Sequence, residues 1–355
     1  MRAPREDRRS GFTLIEVMIT IVIMFVVMDA VMLFFLNVIG EFRRQSKIAE
    51  TGVETVIGLE VLRKDIESAG YGLPWSFLPG YTEGAAVLAD ASDDGNPPRA
   101  IINLVGAGLY GSDILVIKSV SVGTDAACGR WTTLQAGDIK RTWGDNALSF
   151  AGTDEVLVLG TGADPTVQRR YIGMTTYAGT SDAAFQPASP AVNLIHGLTD
   201  GAVPRMPFNR AEYFIDNTNV PALCAPGTGV LVKSVIVNST GPGGGTRGPL
   251  LPLLDCVRDF RVAFGINMLG NAPEVDNVAG AADNAAALIR TRLRDVRVSI
   301  LAHEGARDDR YKHPESSIFV GDNTFAPVGA PKDMSGLLNY RWKVHTLLIR
   351  PSSLR

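Results

Sequence analysis

The chain begins polar and then turns apolar for a long run. From Phe12 to Leu36 almost every residue is apolar, and Thr13, Glu16, Thr20 and Asp29 are the exceptions. About 25 residues of helix reach across a bilayer core of ~30 Å. No proline follows until Pro74, so nothing breaks the helix where lipid would leave backbone groups unsatisfied. Beyond the run the pattern stays helical. Ile48, Gly52, Thr55, Leu59, Leu62, Ile66 and Ala69 recur at spacings of three and four, with Glu50, Glu54, Glu60, Lys64 and Glu67 mostly off that stripe. Gly70 is placed to cap the helix and Pro74 to block its extension. A single helix from Phe12 to Ala69 would be ~85 Å long at 1.5 Å per residue. No soluble core is that deep, so the first half is expected to serve a membrane or a helical bundle and the second to pack under a head. Gly40, Gly52 and Gly58 allow either bending or close packing.

After Gly72 the pattern changes. Short β-branched runs alternate with Gly, Pro, Asp, Asn, Ser and Thr, and predict strands at Ile114–Val120, Val156–Gly160, Tyr171–Thr175, Glu212–Asp216, Leu231–Val237, Val257–Phe264, Val296–Leu301 and Trp342–Ile349. Few helical crossovers are available, which favours antiparallel pairing. The fold class expected is α+β: a long N-terminal helix, half transmembrane and half amphipathic, carrying a large β-rich, mainly antiparallel head of one lobe or two. Long loops are expected at Asp90–Pro98, Thr240–Pro249, Asn271–Ala286 and Ala306–Lys332.

The polar start carries Arg2, Arg5, Arg8 and Arg9, diluted by Glu6 and Asp7, and the far flank of the apolar run carries Arg43, Arg44 and Lys47. Counting basic residues places the N-terminus in the cytoplasm by a narrow margin. A secretory signal peptide would put its small residue after the apolar core; here Gly11 precedes it. Glu16 sits a turn inside the run, although an unpaired charge costs roughly 2.5–3.5 kcal/mol at mid-bilayer on insertion scales. Near the membrane edge it is tolerable, either snorkelling to the interface or awaiting a positive partner. Asp29, near the other end, reads as an interfacial acid or a contact to a sister subunit.

Residues Gly11 to Glu16, with the apolar run behind them, resemble the processing site of type IV prepilins and type II secretion pseudopilins. The resemblance implies that a prepilin peptidase cuts between Gly11 and Phe12 and methylates the new Phe12 amine. It also implies that Glu16 pairs with the amine of a neighbouring subunit. The segments expected on this basis are a leader at 1–11, a transmembrane and amphipathic helix at 12–72, and a periplasmic head at 73–355. The stretch from Leu62 through Asp65, Ile66, Ala69, Gly70 and Tyr71 to Gly72 is similar to PilW-type minor pilins. So are Leu254–Gly265, Leu293–Ile300 and Tyr340–Arg350, although Phe264 stands where that family usually has tyrosine. The resemblance implies a minor pilin of the bacterial inner membrane that primes or caps a type IV pilus from a tip position. Its partners would be other minor pilins and the major pilin. The alternatives are a type II secretion tip pseudopilin, and a tip adhesin or DNA-uptake module using the long loops.

Three cysteines allow three pairings. An oxidising compartment permits one disulfide, and the hairpin-like layout around the Thr240–Pro249 loop favours Cys224–Cys256, leaving Cys128 as the odd thiol. The net charge of −3 gives no whole-chain case for nucleic acid. Arg290, Arg292 and Arg294 would share one face of a strand, with Arg297 on the other. Gly106–Gly111 matches a dinucleotide fingerprint, but a strand pattern follows it where phosphate binding requires a helix. His196, His303, His313 and His345 form no zinc spacing. Two oxygen-rich groups, Asp90, Asp93, Asp94 with Asn96, and Asp276, Asn277, Asp283 with Asn284, have the chemistry for calcium. Polar-turn chemistry accounts for both more simply, so no cofactor is expected. Asn238-Ser239-Thr240 matches a glycosylation acceptor. No set of nucleophile, base and orienting group emerges, so an enzyme is not expected.

Overall fold

The structure, a computed structural model, describes residues 13–75, 80–83, 88–94, 97–162, 169–267, 273–275, 282–322 and 328–354. It divides into two units, Met1–Glu50 and Thr51–Arg355. Helix α1 runs from Leu14 to Glu67. Within the first unit its Leu14–Phe42 stretch is long and apolar enough to cross a membrane, and none of it is buried by the chain itself.

The second unit holds the end of α1 and the β-rich head, an α+β arrangement. Its strands in chain order are β1 (Ile101–Leu104), β2 (Ile114–Ser119), β3 (Trp131–Gln135), β4 (Ile139–Lys140), β5 (Glu155–Gly160), β6 (Arg170–Thr176), β7 (Val192–Thr199), β8 (Asn209–Asp216), β9 (Gly229–Ile236), β10 (Arg247–Asn267), β11 (Pro273–Val275), β12 (Leu293–Glu304), β13 (Ser317–Asp322), β14 (Val328–Asp333) and β15 (Arg341–Ile349). A short helix, α2 (Ala282–Arg292), precedes β12. The large sheet has the order β1-β2-β8-β9-β10-β12-β15, with β11 on the end of β10; a five-stranded sheet has the order β4-β3-β7-β5-β6; β13 and β14 form a separate hairpin. Pairing is antiparallel throughout the described residues, including β2 with β8 and β10 with β12.

Side-chain alternation divides the large sheet into two faces. Leu115, Ile117, Tyr213, Ile215 and Leu231 join Leu62, Ile66 and Ala69 at the end of the helical segment in the main core. The alternate positions Ile114, Val116, Phe214 and Val232 pack under Ala91 on the opposite face. Lys118, Arg210 and Glu212 continue that face and are fully buried. Their charges form a chain. Arg99 Nε bonds Asp93 at 2.6 Å, and Lys118 bridges Asp93 at 2.5 Å and Glu83 at 2.6 Å. Arg210 bridges Glu83 at 2.8 Å and Glu212 at 2.7 Å, and Arg247 ends the chain on Glu212 at 2.8 Å. The smaller sheet packs on the larger through Val120, Leu157, Leu159 and Leu198, with Tyr71 against them.

Cys224 and Cys256 are disulfide-bonded across 32 residues, and Cys128 is a buried free thiol. His303 lies beside the disulfide. Its Nε2 accepts the Ala225 N–H at 2.9 Å, so its Nδ1 carries the proton and donates to the Gly305 carbonyl at 3.1 Å. The hairpin β13–β14 and the Tyr340 and Trp342 side chains close this corner with Leu301, Ile318, Val320 and Met334.

Three expectations change. The Asn271–Ala286 loop gives way to β11 and the start of α2 on either side of residues outside the described set. Ala306–Lys332 contains β13 and most of β14. The basic cluster does not share a face: Arg290 and Arg292 end α2, while Arg294 and Arg297 lie in β12. Period-two logic fails there because the chain changes from helix to strand at Leu293.

Burial, with the charge of Arg169 adding to it, lowers the His196 imidazole to about 4. Burial also lowers His303 to about 4 against the opposing Gly305 hydrogen bond. Both rings are neutral when folded. The unfolded chain takes the proton more readily below its usual value of 6.5, so their contribution is complete above about pH 6.5 and is lost as pH falls toward 4. Each ring accounts for roughly 3 kcal/mol over that window. Denaturant unfolding of the detergent-solubilised protein should show stability falling steeply from pH 6.5 to 4. His196 Nδ1 has no hydrogen-bond partner in the described residues, so His196→Phe should remove roughly half of that slope, His303 keeping the rest, and leave stability at pH 7.5 within about 1 kcal/mol of the parent.

Candidate assembly helix and its seat in the head

The helix start is built by two side chains. Thr13 precedes α1, and its N–H and hydroxyl both donate to Glu16 Oε2 at 2.9 Å. The Glu16 N–H points back to Thr13 Oγ1 at 3.4 Å. This is a capping box, in which Thr and Glu three residues apart satisfy each other's backbone donors. The Thr13-Leu14-Ile15-Glu16 spelling carries that signal in the sequence. Negative charge in a first turn also suits the helix dipole. Glu16 is thus held at the very beginning of the apolar segment, where its carboxylate faces the helix end. Gly11 and Phe12 lie outside the described residues. Asp29 is exposed.

The other end of α1 is seated by contacts far apart in sequence. Gly58 lies against the backbone of Leu253; a Cβ on Gly58 would stand 1.8 Å from the Leu253 carbonyl oxygen. Leu62 and Ile66 are fully buried. Between them Asp65 accepts Lys233 Nζ at 2.6 Å and the Tyr213 hydroxyl, so one carboxylate ties the helix to β9 and β8. Burial and the adjacent Asp65 charge hold the Tyr213 phenol well above its usual range. Ser352 caps the helix from the chain's far end: its N–H and hydroxyl donate to the Glu67 carbonyl at 2.9 and 3.0 Å. Gly70 turns the chain away at φ +80°, with Leu354 where a side chain would be. Its N–H donates to Lys118 O at 3.0 Å. Arg169 spans Gly70 O at 2.8 Å and Ser353 O at 3.0 Å, joining the smaller sheet to this corner. The Leu62–Gly72 stretch is therefore a docking segment. Its apolar positions fill the core, its acid finds a buried ammonium, and its glycines make the exit turn.

The remaining candidates dissolve on inspection of their partners. Asn238 is buried; its amide donates to Met206 O at 3.0 Å and Phe208 O at 2.8 Å, and its Oδ1 accepts from Arg205 and Met206. It fastens a turn and offers no nitrogen for a glycan. The Gly106–Gly111 stretch turns between antiparallel β1 and β2. Asp93 is occupied by Arg99 and Lys118, and Asp94 accepts the Glu83 N–H at 2.7 Å. Asn96, Asp276 and Asn277 lie outside the described residues. Cys224, Cys256 and His303 cluster closely enough for a metal, but the disulfide leaves no thiolate and both His303 nitrogens are engaged. Nothing in sequence spacing marks Lys233, Tyr213 or Ser352, because each meets α1 only through the fold.

Residues 7–28, which span the polar start, Gly11, Phe12 and Glu16, match the family described as the prokaryotic N-terminal methylation motif. The chain carries a prokaryotic N-terminal methylation motif. Among solved structures, a type IV-like pilin from Thermus thermophilus is similar at 11% identity, with 86% of this chain and 98% of that chain covered and a TM-score of 0.35. Likeness at that level does not bear on the head. No curated protein matches the chain. The bare apolar helix behind the motif has the length and composition for membrane anchoring.

Two substitutions test the seat of the helix in the head. Asp65→Ala leaves the Lys233 ammonium buried without its counter-charge and should cost about 3–5 kcal/mol. Adding Lys233→Met should recover a large part of that loss in a double-mutant cycle on the full chain in detergent. Gly58→Ala forces α1 off Leu253 and should cost about 1–3 kcal/mol in the same unfolding assay.

Proposed function

We propose that this chain is a minor pilin of the PilW type that primes or caps a type IV pilus from the bacterial inner membrane. The observation that carries the reading is the pairing of an exposed apolar helix with one carboxylate fixed at its first turn. In this reading a prepilin peptidase removes residues 1–11 and methylates Phe12. The helix spans the membrane with its N-terminus in the cytoplasm, and the head from about residue 73 lies in the periplasm. On assembly the helix leaves lipid for a bundle formed with other minor pilins and the major pilin. Glu16, first satisfied by Thr13 of its own chain, then gains the methylated amine of a neighbour, and the positive charge offsets its desolvation. The bulky head favours a tip position over dense repetition along the fibre. Neither a cofactor nor a catalytic centre is required.

Mass spectrometry of the exported protein should find an N-terminus at methylated Phe12; any other N-terminus overturns the reading. Glu16→Ala should reduce incorporation and fibre number at least tenfold with the protein still present in the membrane. Thr13→Ala should have a smaller effect in the same direction, because it removes the cap and keeps the acid. Immunogold labelling should place the protein at fibre ends; even labelling along sheared fibres contradicts the tip assignment.

A further inference from the structure

The buried ion chain brings together three groups whose chemistry goes beyond charge pairing. Lys118 Nζ stands between two carboxylates, 2.5 Å from Asp93 Oδ2 and 2.6 Å from Glu83 Oε1. The Lys118 and Glu83 side chains are 0% exposed, and that of Asp93 is 1% exposed. An amine, a carboxyl it can attack and a second carboxyl able to carry protons therefore share one dry site. An ammonium has three N–H donors. Among the described residues this one meets only those two oxygens, and beyond them it faces the Phe208 ring, whose centroid is 5.4 Å away. Two donors are what a neutral amine offers, and its lone pair is what attacks a carbonyl carbon.

The two acids are held differently. One arginine grips both oxygens of Asp93: Arg99 Nε donates to Oδ1 at 2.6 Å, and the Arg99 N–H donates to Oδ2 at 2.8 Å. Donors fixed on a carboxyl polarise it and stabilise the negative oxygen that forms when a nucleophile adds. Arg99 Nη2 also donates to the carbonyls of Asp90 at 3.1 Å and Ser92 at 3.4 Å. Arg99 therefore stays hydrogen-bonded when Asp93 loses its charge. Glu83 gives Oε2 to Arg210 at 2.8 Å and keeps Oε1 for Lys118 and for the Asp93 N–H at 2.9 Å. That places Oε1 between the amine and the residue it would attack, where a proton carrier belongs. The frame is rigid. Lys118 sits opposite Arg210 in the β2–β8 ladder, and its carbonyl accepts the Gly70 N–H at 3.0 Å. Groups already fixed at contact distance have little entropy left to lose on reacting. Converting a buried ion pair to an amide also removes two charges that burial penalises.

We propose that Lys118 and Asp93 join in an intramolecular isopeptide bond, with Glu83 as the proton carrier. Glu83 Oε1 takes a proton from Nζ. The freed lone pair forms the Nζ–Cγ bond to Asp93, and Arg99 holds the negative charge on Oδ1. The Cγ–Oδ2 bond then breaks with its electron pair on oxygen. Glu83 passes that first proton, and a second from the nitrogen, to Oδ2, which leaves as water. One hydrogen stays on the amide nitrogen and Glu83 ends as it began, so the reaction needs no oxidant and no further reactant. The bond fastens the segment between α1 and β1 covalently to β2, the strand whose Lys118 carbonyl holds the exit turn of α1.

The test is a peptide map of the full chain, purified in detergent, denatured, reduced and digested with chymotrypsin. Fragment spectra should show the peptides bearing Asp93 and Lys118 joined side chain to side chain and lighter than their sum by one water. Finding both peptides only in free form, or Lys118 joined to Glu83, overturns the proposal. Glu83→Gln keeps both bonding partners and should lower the joined fraction at least about tenfold. A joined fraction equal to the parent's in that variant overturns the role given to Glu83. Should Glu83→Gln fail to fold, the map of the parent alone decides.

Discussion

A helix that its own chain leaves bare from Leu14 to Phe42 and fully seats at Leu62, Asp65 and Ile66 is the constraint on which everything else depends. An apolar helix surface of that length is unfavourable in water and suits lipid or a helical bundle. The seated part is held by buried contacts of its own. One carboxylate supplies much of that hold. Asp65 reaches two strands at once through Lys233 and Tyr213. Removing one partner of such a buried set is far worse than replacing both.

The head uses the same device on its other face. The alternation of Arg99, Asp93, Lys118, Glu83, Arg210, Glu212 and Arg247 ties Glu83, Asp93 and Arg99 to β2 and β8. Burying that many charges gives little net stability compared with an apolar filling of the same volume. What it does is fix position: each charge is satisfied in one arrangement of the segment, and a shifted one strands several ions at once.

Much of the architecture was legible early. The eight strand segments read from β-branched runs all fall on observed strands, because β-branched and apolar runs bounded by turn residues are a strand signal whether one face is buried or both. Missed strands such as Ile101–Leu104 and Trp131–Gln135 are short, at four and five residues. The hairpin β13–β14 was hidden by its glycines and prolines, and α2 by the polar composition before it. Gly58 was ambiguous between a bend and a close contact until Leu253 was found against it.

By itself the sequence determined the long helix, its apolar first half, the acid at its beginning and the β-rich character of the head. These depend on neighbours within a few residues, so local spacing records them. The tertiary structure alone decided that Asp65 meets Lys233 and Tyr213, that Ser352 caps Glu67, that Asn238 is a structural amide, and that His303 lies beside the Cys224–Cys256 disulfide that the sequence layout favoured. Each joins residues tens to hundreds of positions apart. Nothing in a one-dimensional pattern specifies which distant charge, hydroxyl or thiol will arrive, because that is set by strand order and register, which emerge only when the whole sheet closes over its helix.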